Sequence, residues 1–176
     1  GYTFMGETLK RRAINYLTQH LYRRALKNNN QVFFQNPDDL NLFLELNLVS
    51  QRQVCQINGS GVDVEYFKTV DFLQGPPVFL LIARLIRDKG ILEYVEAARV
   101  IKRKYPQIVF QLLGPFDRGP SSILEDHVRQ WQQEGVLEYL GQTEDVRPFI
   151  AGTSVYVLPS YREGTPRSVL EAMSMG

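Results

Sequence analysis

The sequence has few of the residues on which several classes of protein depend. Its single cysteine, Cys55, cannot form a disulfide within the chain. It stands in the apolar run QVCQI, which predicts a buried free thiol and a reducing compartment. No apolar run reaches the roughly 18 to 20 residues that a helix needs to cross a bilayer. The opening GYTFMGETLKRR lacks the charge-then-apolar order of a signal peptide. The sequence therefore predicts a cytoplasmic protein.

A strong net charge is also missing. The formal net charge of +1 and the pI near 8.0 give no general reason to expect a nucleic acid or a strongly acidic partner. What basic excess there is lies almost wholly within the first thirty residues, against the single acid Glu7: Lys10, Arg11, Arg12, Arg23, Arg24 and Lys27. With 176 residues, of which 44% are hydrophobic, the chain is long enough to bury a globular core.

The apolar residues follow two periods along the chain. Between residues 8 and 27 they are spaced as one broad helical stripe, which three asparagines end. From about residue 31, short runs that are apolar along their whole length alternate with helical patterns, which indicates a parallel sheet covered on both faces. The predicted strands are 32–35, 53–57, 78–83, 108–114, 136–141 and 154–160. The predicted fold is a Rossmann-like α/β domain over residues 31–176, preceded by a basic amphipathic helix over residues 1–30.

The helices between these strands have recognisable starts. Asn36 and Pro37 have the residue types of an N-cap and a first helical position. Further helices are predicted over 91–105, 121–134 and 145–151. Parallel sheets of this kind bind ligands at the carboxyl ends of their strands, so one edge should hold several loops. These loops are 58–63, 84–90, 114–120, 141–144 and 160–166.

Two carboxylates flank a helix start in SYREGTPRSVLEAM. Thr165 as N-cap and Pro166 as first helical residue leave the amides of Arg167 and Ser168 without helical partners, an arrangement that favours an anion. Glu163 precedes the cap and Glu171 follows it, so both can approach one ligand from different sides. The plain alternative is a loop acid and an exposed helix residue, and spacing alone does not choose between them.

Two cations follow an apolar strand in ARLIRDKG. Arg84 offers a planar fork and Lys89 a compact charge, which together suit a diphosphate, although cations are also common in loops. In the loop NGSGVD, Gly61 permits a close backbone approach to phosphate or sugar, and a plain turn is the alternative. Asp63 and Glu65 provide too few oxygen ligands for a divalent ion, so no metal site is predicted.

Five segments in order carry a family resemblance: FQNPDDLNLF, INGSGVDVEYF, IARLIRDKG, LGQTEDV and VLPSYREGTPRSVLEAMSMG. Together they resemble the nucleotide-sugar-binding half of GT-B-fold retaining glycosyltransferases of family 4, often called glycosyl transferases group 1. The resemblance covers about residues 31 to 176. In that family an acceptor-binding domain precedes this half and a further strand and helix follow it. The chain is thus expected to be a truncated piece, inactive alone, whose residues 1–30 lead from the acceptor domain.

The resemblance implies a role for each candidate residue. Arg84 and Lys89 would hold the donor diphosphate, Glu171 the ribose hydroxyls, and Glu163 would lie against the transferred sugar. Backbone amides around Gly164 to Ser168 would face the sugar and the phosphates. The expected catalytic residues are Glu163, Arg84 and Lys89. The expected donor-binding residues are Gly61, Arg84, Lys89, Gly114, Gly164, Thr165, Pro166, Arg167, Ser168 and Glu171.

The resemblance also implies the reaction. A hexose or hexosamine would move from a nucleotide sugar to a glycan or lipid-linked acceptor with retention, without metal or cofactor, as the cations stabilise the leaving nucleoside diphosphate. Family members often have Gly-Phe-Gly after the first glutamate, whereas Gly164 is followed here by Thr165. In this respect the sequence resembles bacterial family members that build polysaccharides from UDP-sugars. The basic N-terminal helix could then contact the inner face of the membrane. The alternatives are a GT-B-fold sugar-nucleotide epimerase and a non-catalytic nucleotide-binding domain.

Overall fold

The computed structural model describes residues 9–71 and 74–176, with side chains from residue 12 onwards. The chain divides into two compact units. The first consists of residues up to Ser60 together with Glu163–Thr165, and the second of Gly61–Arg162 together with Pro166–Gly176. Residue 8 of the predicted first helix and the side chains of Lys10 and Arg11 lie outside the description. The expected division into 1–30 and 31–176 stays a prediction.

The first unit contains a pair of parallel strands and two helices. Its elements are α1 (Leu9–Leu26), β1 (Val32–Phe34), α2 (Pro37–Glu45) and β2 (Val54–Gln56). β1 pairs with β2 in parallel, with Val32 opposite Val54. Asn36 is the N-cap of α2 as predicted, because its side chain accepts a hydrogen bond from the Asp39 amide. The Gln53 amide closes the end of α1 by donating to the Leu26 carbonyl at 2.9 Å.

The apolar stripe of α1 is largely uncovered within the described part of the chain. Ile14, Leu17 and Leu21 are 55%, 58% and 57% exposed. The small core of this unit lies instead around Phe34, whose ring packs edge-on against Phe43 with centroids 5.2 Å apart. A membrane surface and a protein partner would cover such a stripe equally well, so the membrane contact stays a prediction.

The second unit is a four-stranded parallel sheet with helices, and its order is β5-β4-β3-β6. The α/β class with parallel strands and flanking helices is confirmed, although the described strands form two sheets rather than one. The elements are β3 (Val78–Ile82), α3 (Ile91–Lys104), β4 (Val109–Leu113), α4 (Glu125–Gln133), β5 (Glu138–Tyr139), α5 (Arg147–Ala151), β6 (Val155–Tyr156) and α6 (Arg167–Met175).

Both faces of this sheet are covered, which explains why its central strands consist almost wholly of apolar residues. Leu81 packs in one buried cluster with Ile91 and Phe110. Its neighbour Leu80 packs in a second cluster with Ile150. Because successive side chains of a strand point to opposite faces, the two clusters lie on opposite sides of β3.

The predicted start of α4 is wrong, because the residues before it bind a distant part of the chain. α4 begins at Glu125 instead of residue 121. The preceding residues are hydrogen-bonded to the loop after β3: the Arg87 amide donates to the Ser121 carbonyl at 2.8 Å, and the Ile123 amide donates to the Leu85 carbonyl at 2.8 Å. Those bonds, together with an isolated bridge between Ser122 and Ile86, keep the segment out of the helix, so the helix starts later. Cys55 is partly exposed, not buried as predicted.

Candidate functional site

The strand order of the second unit contains a switch point. From β3 the chain adds β4 and then β5 on one side, and it returns to place β6 on the other side of β3. The connections after β3 and β6 therefore leave the sheet in different directions, and ligands of open α/β sheets bind in the resulting crevice. Loops 84–90, 114–120 and 141–144 all follow carboxyl ends of this sheet, as expected. Loop 58–63 follows β2 of the other sheet, so its place at this edge stays a prediction.

The loop that carries Lys89 packs directly against the loop after β6. Residues Arg87–Lys89 form a 3-10 turn that Gly90 ends with φ +70°. A Cβ atom on Gly90 would lie 2.1 Å from the Pro159 carbonyl oxygen, so only glycine fits this contact. The Tyr161 amide donates to the Asp88 carbonyl at 3.0 Å. The two loops at the switch point are thus fixed against each other.

A side-chain bond that sequence reasoning missed joins the loop after β6 to the start of α3. The Tyr161 hydroxyl donates to the Glu93 carboxylate in the first turn of α3. This bond lowers the pKa of Glu93 and raises the pKa of Tyr161, because it stabilises the carboxylate and the neutral phenol. The sequence shows a tyrosine two residues before Glu163, but it does not indicate that Glu93 is the hydrogen-bond partner.

Arg84 is held by an acid that sequence reasoning also missed. Its side chain is 63% exposed, and Nη1 lies 3.1 Å from Oδ2 of Asp117. Asp117 is itself fixed, because its Oδ1 accepts from the Gly119 amide at 2.7 Å. A guanidinium has five N–H donors, so it can bind a carboxylate and a phosphate together. Asp117 therefore orients Arg84 at the carboxyl edge of β3.

Gly114 has a structural reason to be glycine. Its φ is +147°, and a Cβ atom there would lie 1.9 Å from the Ala83 carbonyl oxygen. Its carbonyl accepts from the Tyr139 hydroxyl at 2.8 Å, and burial raises the pKa of that hydroxyl. Next to it, a cavity of about 460 Å³ opens between the loops after β4 and β5, beside Asp117 and Gln142. A donor-binding role for Gly114 stays a prediction.

Helix α6 begins one residue later than predicted. Pro166 is the N-cap, since its ψ of 114° is extended, and its carbonyl accepts from the Val169 amide at 3.2 Å. The predicted cap by Thr165 is therefore wrong. Arg167 and Ser168 occupy the first helical positions, whose amides have no carbonyl partner within the helix.

Glu171 lies one turn into α6 and is not an ordinary exposed helix residue. Only 12% of its side chain is exposed, and its Oε1 lies 3.6 Å from Nη2 of Arg167. A carboxylate that is mostly covered and has one cationic neighbour can still accept hydrogen bonds from hydroxyl groups of a ligand. The alternative that Glu171 is merely an exposed helix residue is therefore wrong, whereas its contact with a ribose stays a prediction.

Glu163 belongs to the first unit with Gly164 and Thr165. The Thr165 amide donates to Oε1 of Gln35 at 3.3 Å. Pro166 has no N–H, so the expectation that backbone amides of this segment face the sugar and the phosphates cannot apply to it, and for the other residues it stays a prediction. The approach of both glutamates to one ligand stays a prediction.

The remaining expectations concern Gly61 and metals. Gly61 is exposed with φ +72°, and a Cβ atom there would meet nothing within 4 Å, so its backbone angle alone accounts for glycine. Asp63 caps a turn by accepting from the amides of Glu65 and Tyr66. Within residues 9–71 and 74–176, no three His, Cys, Asp or Glu side chains come together as a metal site. The same residues include no helix long and apolar enough to span a membrane.

The chain is similar to curated bacterial enzymes. It is 27% identical over 189 residues to N,N'-diacetylbacillosaminyl-diphospho-undecaprenol alpha-1,3-N-acetylgalactosaminyltransferase of Campylobacter jejuni, an alignment that covers 100% of this chain and 48% of that protein. It is 26% identical to UDP-Gal:alpha-D-GlcNAc-diphosphoundecaprenol alpha-1,3-galactosyltransferase of Escherichia coli, with 98% and 48% covered. The chain thus spans about half the length of the curated relatives it matches.

The fold is similar to that of a solved structure. Anabaena Alr3699/HepE in complex with UDP matches with a TM-score of 0.69 at 19% identity, over 89% of this chain and 47% of that one. At this identity the likeness concerns the fold alone. Residues 76–176, more than half of the chain, match the family described as Glycosyl transferases group 1. They include the loops at the switch point and all of α6. The chain therefore belongs to the glycosyl transferases group 1 family.

Proposed function

We propose that this chain is the donor-binding part of a glycosyltransferase that moves a hexose or hexosamine from a UDP-sugar to a glycan or lipid-linked acceptor, with retention of the anomeric configuration. The observation that carries the proposal is the pair of cations on the loop after β3, at the switch point of the sheet. Arg84 is oriented there by Asp117, and Lys89 lies in a turn fixed against the loop after β6.

The chemistry follows from where charge develops. As the bond between sugar and phosphate breaks, negative charge grows on the leaving diphosphate, so donors already in place stabilise the transition state more than the ground state. Arg84, Lys89 and the first amides of α6 would supply that stabilisation. A bound metal would then not be required. Glu171 would accept hydrogen bonds from the ribose, and Glu163 would lie against the sugar.

The relatives support the substrate classes. The Escherichia coli relative is named for transfer from UDP-Gal to a diphosphoundecaprenol-linked sugar, and the Campylobacter jejuni relative is also named for a diphospho-undecaprenol acceptor. The fold neighbour was solved with UDP. Because the named relatives are transferases, neither an epimerase nor a non-catalytic domain is favoured. Work on lipid-linked acceptors would suit a cytoplasmic location with peripheral contact at the inner face of the membrane.

Titration calorimetry on this chain tests the proposal. UDP should bind more tightly than UMP, because only UDP presents a diphosphate to both cations. Arg84→Ala should weaken UDP roughly ten- to a hundred-fold, the range for losing a charge-assisted contact of about 1.5 to 3 kcal/mol. Its matched control is Arg103→Ala, an arginine in the last turn of α3. Equal affinities for UDP and UMP would overturn the diphosphate assignment.

A further inference from the structure

The short segment that contains Glu163 is held by the start of α2, and all the residues concerned lie in the first unit. Asn36 makes contacts with both ends of its side-chain amide. Its Oδ1 accepts from the Asp39 amide at 2.7 Å, which caps the helix. Its Nδ2 donates to the Glu163 carbonyl oxygen at 3.1 Å and to Oδ2 of Asp39 at 2.8 Å. One side chain thus serves a helix end and a distant loop.

These contacts fix the orientation of the Asn36 amide. The cap sets the position of Oδ1, and Asp39 takes one of the two hydrogens on Nδ2. The geometry of a planar amide then directs the second hydrogen towards the Glu163 carbonyl. Reversing the amide would place an oxygen against two oxygens, so the hydrogen-bond network itself determines which way Asn36 points.

Two further residues enclose the rest of this segment. Gln35 accepts from the Thr165 amide at 3.3 Å, and a Cβ atom on Gly164 would lie 2.6 Å from Oε1 of Gln35. On the other side, a Cβ atom on Gly59 would lie 2.7 Å from Cβ of Thr165. The backbone from Glu163 to Thr165 therefore has little room to move. Its shape is set by contacts from residues more than a hundred positions earlier in the chain.

We propose that Asn36, assisted by Gln35, is a positioning residue that fixes the backbone of Glu163 and so aims the Glu163 carboxylate at the transferred sugar. The inference rests on the role proposed for Glu163. The Glu163 carbonyl and the Thr165 amide are both held by hydrogen bonds. Together these bonds fix the local backbone, and with it the direction of the Cα–Cβ bond of Glu163. Asn36 would thereby determine how well the sugar is recognised, and it would have no effect on recognition of the nucleotide.

The test separates this role from helix capping. Serine is as good an N-cap as asparagine, so Asn36→Ser keeps an acceptor for the Asp39 amide but offers no amide hydrogen to Glu163. The matched control is Asn41→Ser, the same change at an exposed position of α2. Both variants should unfold within a few degrees of the wild type.

Calorimetry then compares UDP with UDP-glucose, UDP-galactose and their N-acetylhexosamine counterparts. The comparison uses the sugar that adds most affinity in the wild type. Asn36→Ser should lower the affinity for that UDP-sugar about three- to tenfold, and it should change the affinity for UDP less than twofold. Glu163→Gln should lose the same increment, and the double variant should be no weaker than Glu163→Gln alone. In the ligand-free protein, hydrogen exchange over residues 160–168 should be faster in Asn36→Ser than in the wild type, and it should be unchanged in Asn41→Ser.

The outcomes distinguish the two proposals. If the wild type binds neither UDP nor a UDP-sugar, the proposed function fails, and exchange still reports whether Asn36 holds the segment. If the wild type binds UDP but no sugar adds affinity, or Asn36→Ser leaves both the sugar increment and the exchange unchanged, the positioning role is overturned. A uniform loss of UDP and UDP-sugar binding in Asn36→Ser would show a general structural effect and would also overturn it.

Discussion

At the scale of single residues, the candidate site depends on charges that the protein has already paired. Arg84 is matched by Asp117, and Glu171 lies beside Arg167. Such pairs cost little to form on a partly exposed surface and hold long side chains in one orientation. A ligand that arrives at an oriented guanidinium or carboxylate loses less affinity to side-chain ordering. The neighbours of the cations and glutamates are therefore as informative as the residues themselves.

The two glutamates should respond differently to loss of charge. Glu171→Gln should weaken UDP and UDP-sugars alike by about five- to tenfold, because a neutral amide makes weaker hydrogen bonds to hydroxyl groups than a carboxylate does. Glu163→Gln should change the affinity for UDP less than about twofold, because UDP lacks the transferred sugar that Glu163 is proposed to contact. Calorimetry on both variants measures this, with Glu125→Gln on α4 as an exposed control. The opposite pattern would reverse the two roles.

The site was only partly predictable at this scale, for a physical reason. Arg84, Lys89 and Glu171 could be proposed as candidates because a charge beside an apolar strand or a helix start is visible locally, and their roles stay predictions. The contacts of Arg84 with Asp117 and of Asn36 with Glu163 were not predicted, because the partners lie far apart in sequence: Asn36 contacts Glu163 across 127 positions. Residue type shows what a side chain can bind, whereas the fold decides what it meets.

At the scale of elements, the contact between the turn at Arg87–Lys89 and the loop after β6 makes a strong demand on Gly90. Gly90→Ala should destabilise the chain by more than the 1 to 2 kcal/mol or so that a left-handed backbone costs alanine, because the new Cβ would also collide with the Pro159 carbonyl. Gly135 is a close control, since its φ is +68° and nothing lies within 4 Å of its Cβ position. Denaturant unfolding should show the larger loss for Gly90→Ala.

Equal losses for the two glycine variants would mean that the loop after β6 can move away freely. In that case Lys89 would not be fixed by its neighbour, and the close contact between the two loops would be of little consequence for the site. UDP affinity of Gly90→Ala, measured below its unfolding transition, gives a second reading. If the turn positions Lys89, the UDP affinity of Gly90→Ala should be lower than that of the wild type, as its free energy of unfolding is.

Elements with complete local signals were predicted well. α2 has both a capping asparagine and a proline in the first turn, and α3 has a full apolar stripe from Ile91. α4 and α6 were started too early, because Ser121–Ile123 pair with another loop and Pro166 takes an extended backbone. In both cases hydrogen bonds or backbone angles set by the fold override the local helix pattern.

At the scale of the whole molecule, this chain alone should bind UDP and transfer no sugar. It spans about half the length of the relatives it matches, and a complete reaction also needs an acceptor site. We expect no product from a UDP-hexose and an undecaprenyl-diphosphate-linked sugar, under conditions where calorimetry shows UDP bound. Turnover at an ordinary enzyme rate, on the order of 1 to 1000 per second, would show that the chain is catalytically complete.

The strand order of the second unit also bears on how the protein is made. β3 pairs with β4 on one side and with β6 on the other, as Phe79 lies opposite Val155. A ribosome releases the first of these strands long before the last. At roughly 5 to 20 residues per second, β3 waits several seconds with one edge unpaired. An open strand edge invites pairing with other chains, so nascent β3 is a site that a chaperone could protect during synthesis.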